Sequence, residues 1–288
     1  MITLLFLSVL VLRAEAPDTM LVEQKTLGSF QRATRLITNP QGWIYVLDTE
    51  QNLVVLMKGD KDPSSSVGGY GWSSTTFDEP TGLATDGLNV YVADRGNHRL
   101  MRFDRSLNFI SSFVTRDTSL LAARFGSPLG VALSRLGDLF VLDGENLRII
   151  KFAANMQYER SFGDFDDARS RLREPIKILI SPDDHVFVLE PDRLHEFDYF
   201  GQYLRTIGPG SFRDARGFCF VRGGIIVVTP ATLCWFNDRG ELLREVRAAE
   251  IASGSPMGAI EDLAGDAERL LLLTSTQLHI IQIFNSSK

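Results

Sequence analysis

Short runs of consecutive apolar residues, each stopped by an acidic residue or a threonine, recur along the chain. They are Ile44-Tyr45-Val46-Leu47 before Asp48, Val90-Tyr91-Val92-Ala93 before Asp94, and Leu139-Phe140-Val141-Leu142 before Asp143. Three more follow: Val186-Phe187-Val188-Leu189 before Glu190, Ile225-Ile226-Val227-Val228 before Thr229, and Leu270-Leu271-Leu272-Leu273 before Thr274. The closing residues stand 46, 49, 47, 39 and 45 positions apart. Runs of this length, rich in β-branched and aromatic residues and bounded by Gly, Asp or Asn, predict strands buried on both faces. Six of them predict six repeated units.

Each unit carries further strand patterns around this one. A shorter run precedes it, as in Pro80-Thr81-Gly82-Leu83-Ala84 and Pro128-Leu129-Gly130-Val131-Ala132, and a third follows, as in Arg99-Leu100-Met101-Arg102-Phe103. A fourth ends the unit, as in Phe109-Ile110-Ser111-Ser112-Phe113. Four antiparallel strands in about 45 residues is the size of one propeller blade. A parallel-sheet α/β fold would need helices of about 10–15 residues between strands, and the helical candidates are short, such as Leu243 to Ile251. After Leu278 to Phe284 only four residues remain, so the last unit lacks its outer strand, and Met20 to Leu27 is free to supply it. Joining both termini in one blade removes the open seam. The expected fold is all-β, a closed six-bladed β-propeller of four-stranded antiparallel blades, forming a single domain over residues 17–288.

The stretch from Phe77 through Pro80, Gly82, Asp86, Tyr91, Asp94, Asn97, His98 and Arg99 to Phe103 closely resembles an NHL repeat, the blade unit of a family of six-bladed propellers. The third unit keeps Asp143, Asn146 and Arg148, whereas the first keeps Asp48 but has Gln51 and Leu53 where Asn and Arg are expected. Units four to six share a shorter hairpin instead, with Leu194, Leu233 and Leu278 four positions after the closing residue. The resemblance implies a binding scaffold more firmly than an activity. Asp48, Asp94, Asp143, Asn97 and Asn146 have a structural explanation: a carboxylate or amide at a strand end bonds to the backbone of a tight turn. A residue required once per blade is architectural.

Charge and targeting narrow the partners. With 30 Lys+Arg against 36 Asp+Glu the formal charge is −6 and the pI about 5.3, which argues against nucleic acid, where affinity rests on cations neutralising phosphates. Ile2 to Leu12 form an apolar run of eleven, followed by Arg13 and Ala14-Glu15-Ala16. That run is too short to span a bilayer, which takes about 20 residues, and the small residues suit a signal-peptide cleavage site. Residues 1–16 are therefore expected to be a signal peptide directing an extracytoplasmic (periplasmic or secreted) location, with no membrane span in the mature chain. An apolar first strand or an uncleaved anchor is the competing reading.

Candidate chemistry is sparse. A catalytic zinc needs about three convergent ligands, but the four histidines fall apart: His98 in a turn after a second strand, His185 in a turn before one, and His195 and His279 on third strands. Cys219 and Cys234 fall on the first and third strands of unit five, about 9.6 Å apart at two inter-strand spacings, beyond disulfide reach. Both are expected to be free and buried. The glycine-rich Ser64 to Trp72 lacks the Lys and helix of a phosphate loop and is expected to be a connection between units one and two. Arg169, Arg171 and Arg173 are flanked by Asp164, Asp166 and Asp167 and are expected to form a solvated mixed-charge loop. No cofactor or metal is expected.

One set of positions supports a binding site. Aligning the innermost strands puts Arg35, Gly82, Gly130, Lys177, Gly217 and Asp262 at equivalent places around the channel. The charged members, with Arg216 next to Gly217, converge toward one mouth, to recognise an anionic group or to pair with one another. The expected function is an exported, non-catalytic propeller binding a protein, peptide or glycan on one face, with Arg35, Lys177, Arg216 and Asp262 as candidate ligand-binding residues. A lyase or lactonase with a metal in the channel is the alternative.

Overall fold

The computed structural model describes residues 19–164, 169–265 and 268–285. The expected signal segment, residues 1–16, and Asp166 and Asp167 lie outside the described residues. Six four-stranded antiparallel sheets follow one another along the chain, and in five of them the strand order is the sequence order. The first blade runs Ala33–Thr38, Trp43–Asp48, Leu53–Lys58 and Pro63–Gly68. In the sixth, Ile260–Gly265, Arg269–Thr274 and Leu278–Asn285 are completed by Thr19–Leu27, which pairs antiparallel with Leu278–Asn285 on the sheet's outer edge. The seam therefore closes with a strand from the other end of the chain.

The apolar runs are continuous because alternate residues of each second strand enter two different cores. In blade one, Ile44 and Val46 pack with Leu271, Leu273 and Leu278 of blade six, while Tyr45 and Leu47 pack with Leu83, Val90 and Phe103 of blade two. The same division holds around the ring, giving six apolar clusters, each shared by two successive blades. These faces lose their apolar surface to water only when both neighbours are present, so a blade gains little alone.

The closing residues explain how each blade begins. Asp48 accepts from the Gln31 and Arg32 amides at 2.7 and 3.1 Å, Asp94 from the Asp78 amide at 2.8 Å, Asp143 from the Gly126 amide at 3.3 Å, and Glu190 from the Arg173 and Glu174 amides. In blades one to four a buried carboxylate thus ties down the segment that enters the inner strand. Thr229 and Thr274 instead accept from the amides of Thr232 and Gln277, three residues on, which matches the shorter hairpins of blades five and six. Blade four combines both, since Glu190 pairs directly with Arg193 across a two-residue turn. The architectural reading of Asp48, Asp94 and Asp143 agrees with these bonds.

Two local expectations are corrected. Residues 63–68 are the outer strand of blade one and not a connection; its four leading residues are exposed and three are serines, so it carries no apolar signal. Leu242–Arg247 is likewise an outer strand, followed by a single 3-10 turn at Ala248–Glu250. On a solvent-facing edge strand the alternation that distinguishes strand from helix is lost.

Candidate functional site

Around the axis the six inner strands meet at one level. Arg35, Gly82, Gly130, Lys177, Gly217 and Asp262 each pair with the residue just before the closing position of their own blade: Leu47, Ala93, Leu142, Leu189, Val228 and Leu273. The glycines are required by proximity. A Cβ on Gly82 would lie 2.7 Å from the Gly130 Cα, and one on Gly217 would lie 2.1 Å from Asp262 Oδ1. The space so released is filled by charged side chains from the other three blades.

Those side chains cross the axis. Lys177 Nζ of blade four lies 2.5 Å from Asp262 Oδ1 of blade six, and both are buried. The other Asp262 oxygen accepts the Leu36 amide of blade one at 3.0 Å. Arg35 of blade one reaches the opposite blade, donating from Nη2 to the Ile176 carbonyl at 2.9 Å and from Nη1 to the Thr34 carbonyl at 2.8 Å. Burial pushes the Arg35 guanidinium below its ordinary value and the like charge of Arg216 adds to this, while Asp262 and Glu261 oppose it. Arg216 donates to Asp214 at 3.2 Å, and its Nε is buried without a hydrogen-bond partner among the described residues. Blades one, four and six are thereby bonded to one another through the centre of the ring.

Above this plug lies an open basin of about 710 Å3. Its charged lining is Arg32, Arg35, Arg95 and Arg216 against Asp78, Glu79, Asp214 and Glu261. Of the four candidate residues, Arg35 and Arg216 line the basin, whereas Lys177 and Asp262 lie beneath and are bonded to each other. The remaining six charges escaped the sequence reading, although each sits in a segment entering an inner strand, beside an aligned position, or just after a closing residue. A second hollow of about 450 Å3 lies beside the basin and shares Pro191 and Asp214 with it; Arg173, Arg193 and Arg213 line it.

The other candidate groups are dispersed. His98 bonds the Gly126 carbonyl, His185 lies 2.7 Å from Glu196, His195 lies 3.3 Å from Glu190, and His279 lies 2.5 Å from Glu23. Among the described residues no three His, Cys, Asp or Glu side chains form a group suited to a metal ion. Cys219 and Cys234 are free and buried, and burial pushes the Cys219 thiol up to about 12. The Asn97 amide donates to the Gly71 carbonyl at 2.9 Å and to Asp94 at 2.8 Å, and Arg99 holds Asp94 and the carbonyls of Trp72, Ser73 and Thr76. These motif residues therefore fasten the segment that joins blades one and two.

Comparison with known proteins agrees with this architecture. Residues 77–103 match the NHL repeat family model. The protein brain tumor of Drosophila melanogaster is 26% identical over 133 residues, which are 44% of this chain and only 13% of that protein. Virginiamycin B lyase from Staphylococcus aureus superimposes with a TM-score of 0.61 over 93% of this chain and all of its own, at 10% identity. An inactive variant of that lyase holding quinupristin gives 0.60, over 88% of this chain and 80% of the variant, also at 10% identity. A streptogramin B lyase gives 0.60 over 94% and 88%, at 13% identity. At such identities the likeness to the lyases is one of fold alone. The six sheets and the strand that closes the last of them make this chain a six-bladed β-propeller that carries an NHL repeat at residues 77–103.

Proposed function

We propose that the protein is an exported, non-catalytic binding propeller that recognises a protein or peptide segment of mixed charge at the basin. The observation that carries this reading is the basin itself: four guanidiniums and four carboxylates stand in one concave surface over a closed axis. Such a lining complements a ligand bearing both signs of charge. Phosphate chains are disfavoured there, because each carboxylate at the rim repels them while binding strength depends on net neutralisation. An uncharged glycan would match none of these charges with one of its own, so a peptide fits better. The segment of residues 1–16 supports an extracytoplasmic location by its apolar run and small-residue ending.

The lyase or lactonase alternative gains the shared fold and no more. Asp262, the acidic residue at the inner level, already holds the Lys177 ammonium and the Leu36 amide. A metal placed there would have to displace a buried cation.

Peptide and glycan arrays probed with the purified protein test the proposal. Mixed-charge peptides are expected to bind the parent and to be lost when Arg95 and Arg216 are both reversed to Glu, with Arg135→Glu as a control at the opposite face. Selective binding of glycans, or binding that survives the double reversal, contradicts it.

A further inference from the structure

Beneath the charged plug the axis changes character. Two residues further along the inner strands, at the next matching level, stand Ile37, Ala84, Ala132, Leu179, Cys219 and Ala264. Four of these six are small. No charged side chain crosses here to fill the space they leave, and a cavity of about 280 Å3 lined mostly by apolar side chains results, with Phe218 and Phe220 in its wall. It opens at the face of the turns between first and second strands, opposite the basin, since Thr38, Thr85 and Ile180 at the strand ends line it.

One charged side chain, Lys177, lines this space. Lys177 is only 7% exposed, and Asp262 is its sole hydrogen-bond partner among the described residues. An ammonium carries three N–H donors, so two have no protein acceptor. Buried donors without acceptors are costly, and an acceptor arriving through the cavity would satisfy one.

We propose that this cavity binds a small, uncharged, mostly apolar molecule bearing a carbonyl oxygen. The apolar body sits between the small residues and the Phe218 and Phe220 rings, and the carbonyl accepts a hydrogen bond from Lys177. The size suits a single ring with a short substituent, since an apolar protein cavity of about 150 Å3 holds benzene. A carboxylate is the wrong head group. Lys177 is already neutralised by Asp262, and a second buried anion beside that carboxylate would be repelled and desolvated without a cation of its own.

The test uses three probes of similar shape, acetophenone, ethylbenzene and benzoate, titrated into the purified protein by calorimetry and ligand-observed NMR. Acetophenone is expected to bind at least about tenfold more tightly than either of the others, in line with a hydrogen bond to a charged donor. Ala132→Leu and Ala264→Leu each fill the cavity, and either one that retains cooperative unfolding is expected to abolish acetophenone binding. Arg216→Ala, in the basin, is expected to leave it within about twofold. Failure of acetophenone to bind overturns the proposal. So does equal or tighter binding of ethylbenzene or benzoate, or binding that survives filling of the cavity.

Discussion

Lys177 and Asp262 are 85 positions apart in sequence and 2.5 Å apart across the axis, where they join the fourth blade to the sixth. Gly217, the aligned residue between them in the ring, has no side chain because a Cβ there would collide with Asp262. Removing one member of a buried ion pair leaves an uncompensated charge and costs about 3–5 kcal/mol. Asp262→Ala is therefore expected to lower the melting temperature by about 10 °C for a domain of this size. The double change Lys177→Met and Asp262→Leu is expected to recover much of that loss, since an apolar pair of similar volume is often as stable. Calorimetry that finds the single variant unchanged would show the pair to be unimportant.

A second expectation concerns the motif residues of blade two. Asp94 accepts from the Asp78 amide, Asn97 and Arg99 while fully buried. Asp94→Ala would orphan three donors at once, for an expected cost of about 3 kcal/mol or more. Thr274→Ala in blade six loses the two bonds its hydroxyl makes with the Gln277 backbone and is expected to cost less, about 1–2 kcal/mol. Urea denaturation of the two variants compares them, and equal losses would contradict the stapling role.

Glu190 sets a dependence on acid. Burial acts to raise its carboxyl, but hydrogen bonds from His195 and the Arg173 and Glu174 amides outweigh that, holding it below its ordinary 4.5. A depressed carboxylate contributes stability that is present above its unfolded value, and that stability is lost as pH falls through the folded one. Glu190→Gln is expected to lower stability at pH 7 and to flatten the decline below pH 4.5. Urea midpoints measured from pH 7 to pH 3 decide this; parallel profiles for the two proteins would refute it.

The two thiols should be inert in the native state. Cys219 is pushed up to about 12 and Cys234 is also raised, in both cases chiefly by burial. Thiolate is the reactive form, so an aromatic disulfide reagent at pH 8 is expected to label neither cysteine in the folded protein and both in urea. Rapid native labelling of Cys234, which lines no cavity described above, would mean that blade five opens readily.

Much of the fold was legible because each blade repeats one local pattern. The runs ending at Asp48, Asp94, Asp143, Glu190, Thr229 and Thr274 marked the second strands, and their spacing counted the blades. The alignment of Arg35, Lys177 and Asp262 followed from that count, so their convergence could be read before their contacts were known. What they bond to could not. The reach of Arg35 to the Ile176 carbonyl spans 141 positions and depends on the diameter of the ring, which no local pattern encodes. Outer strands were the other weak point, since Pro63–Gly68 and Leu242–Arg247 face solvent and carry little apolar periodicity. The basin charges were missed for a related reason: Arg32, Arg95 and Asp214 lie in connections, where composition gives no sign of which face they line.

Amide hydrogen exchange on a complex reads out recognition at the basin segment by segment. With a mixed-charge peptide selected on the array, protection is expected in the segments around Arg32, Glu79, Asp214 and Arg216, which line the basin. No change is expected around Gly87, Gly137 or Asp184, in turns between first and second strands at the opposite face. Protection confined to those turns, or to the outer strands, would rule out the basin as the binding surface.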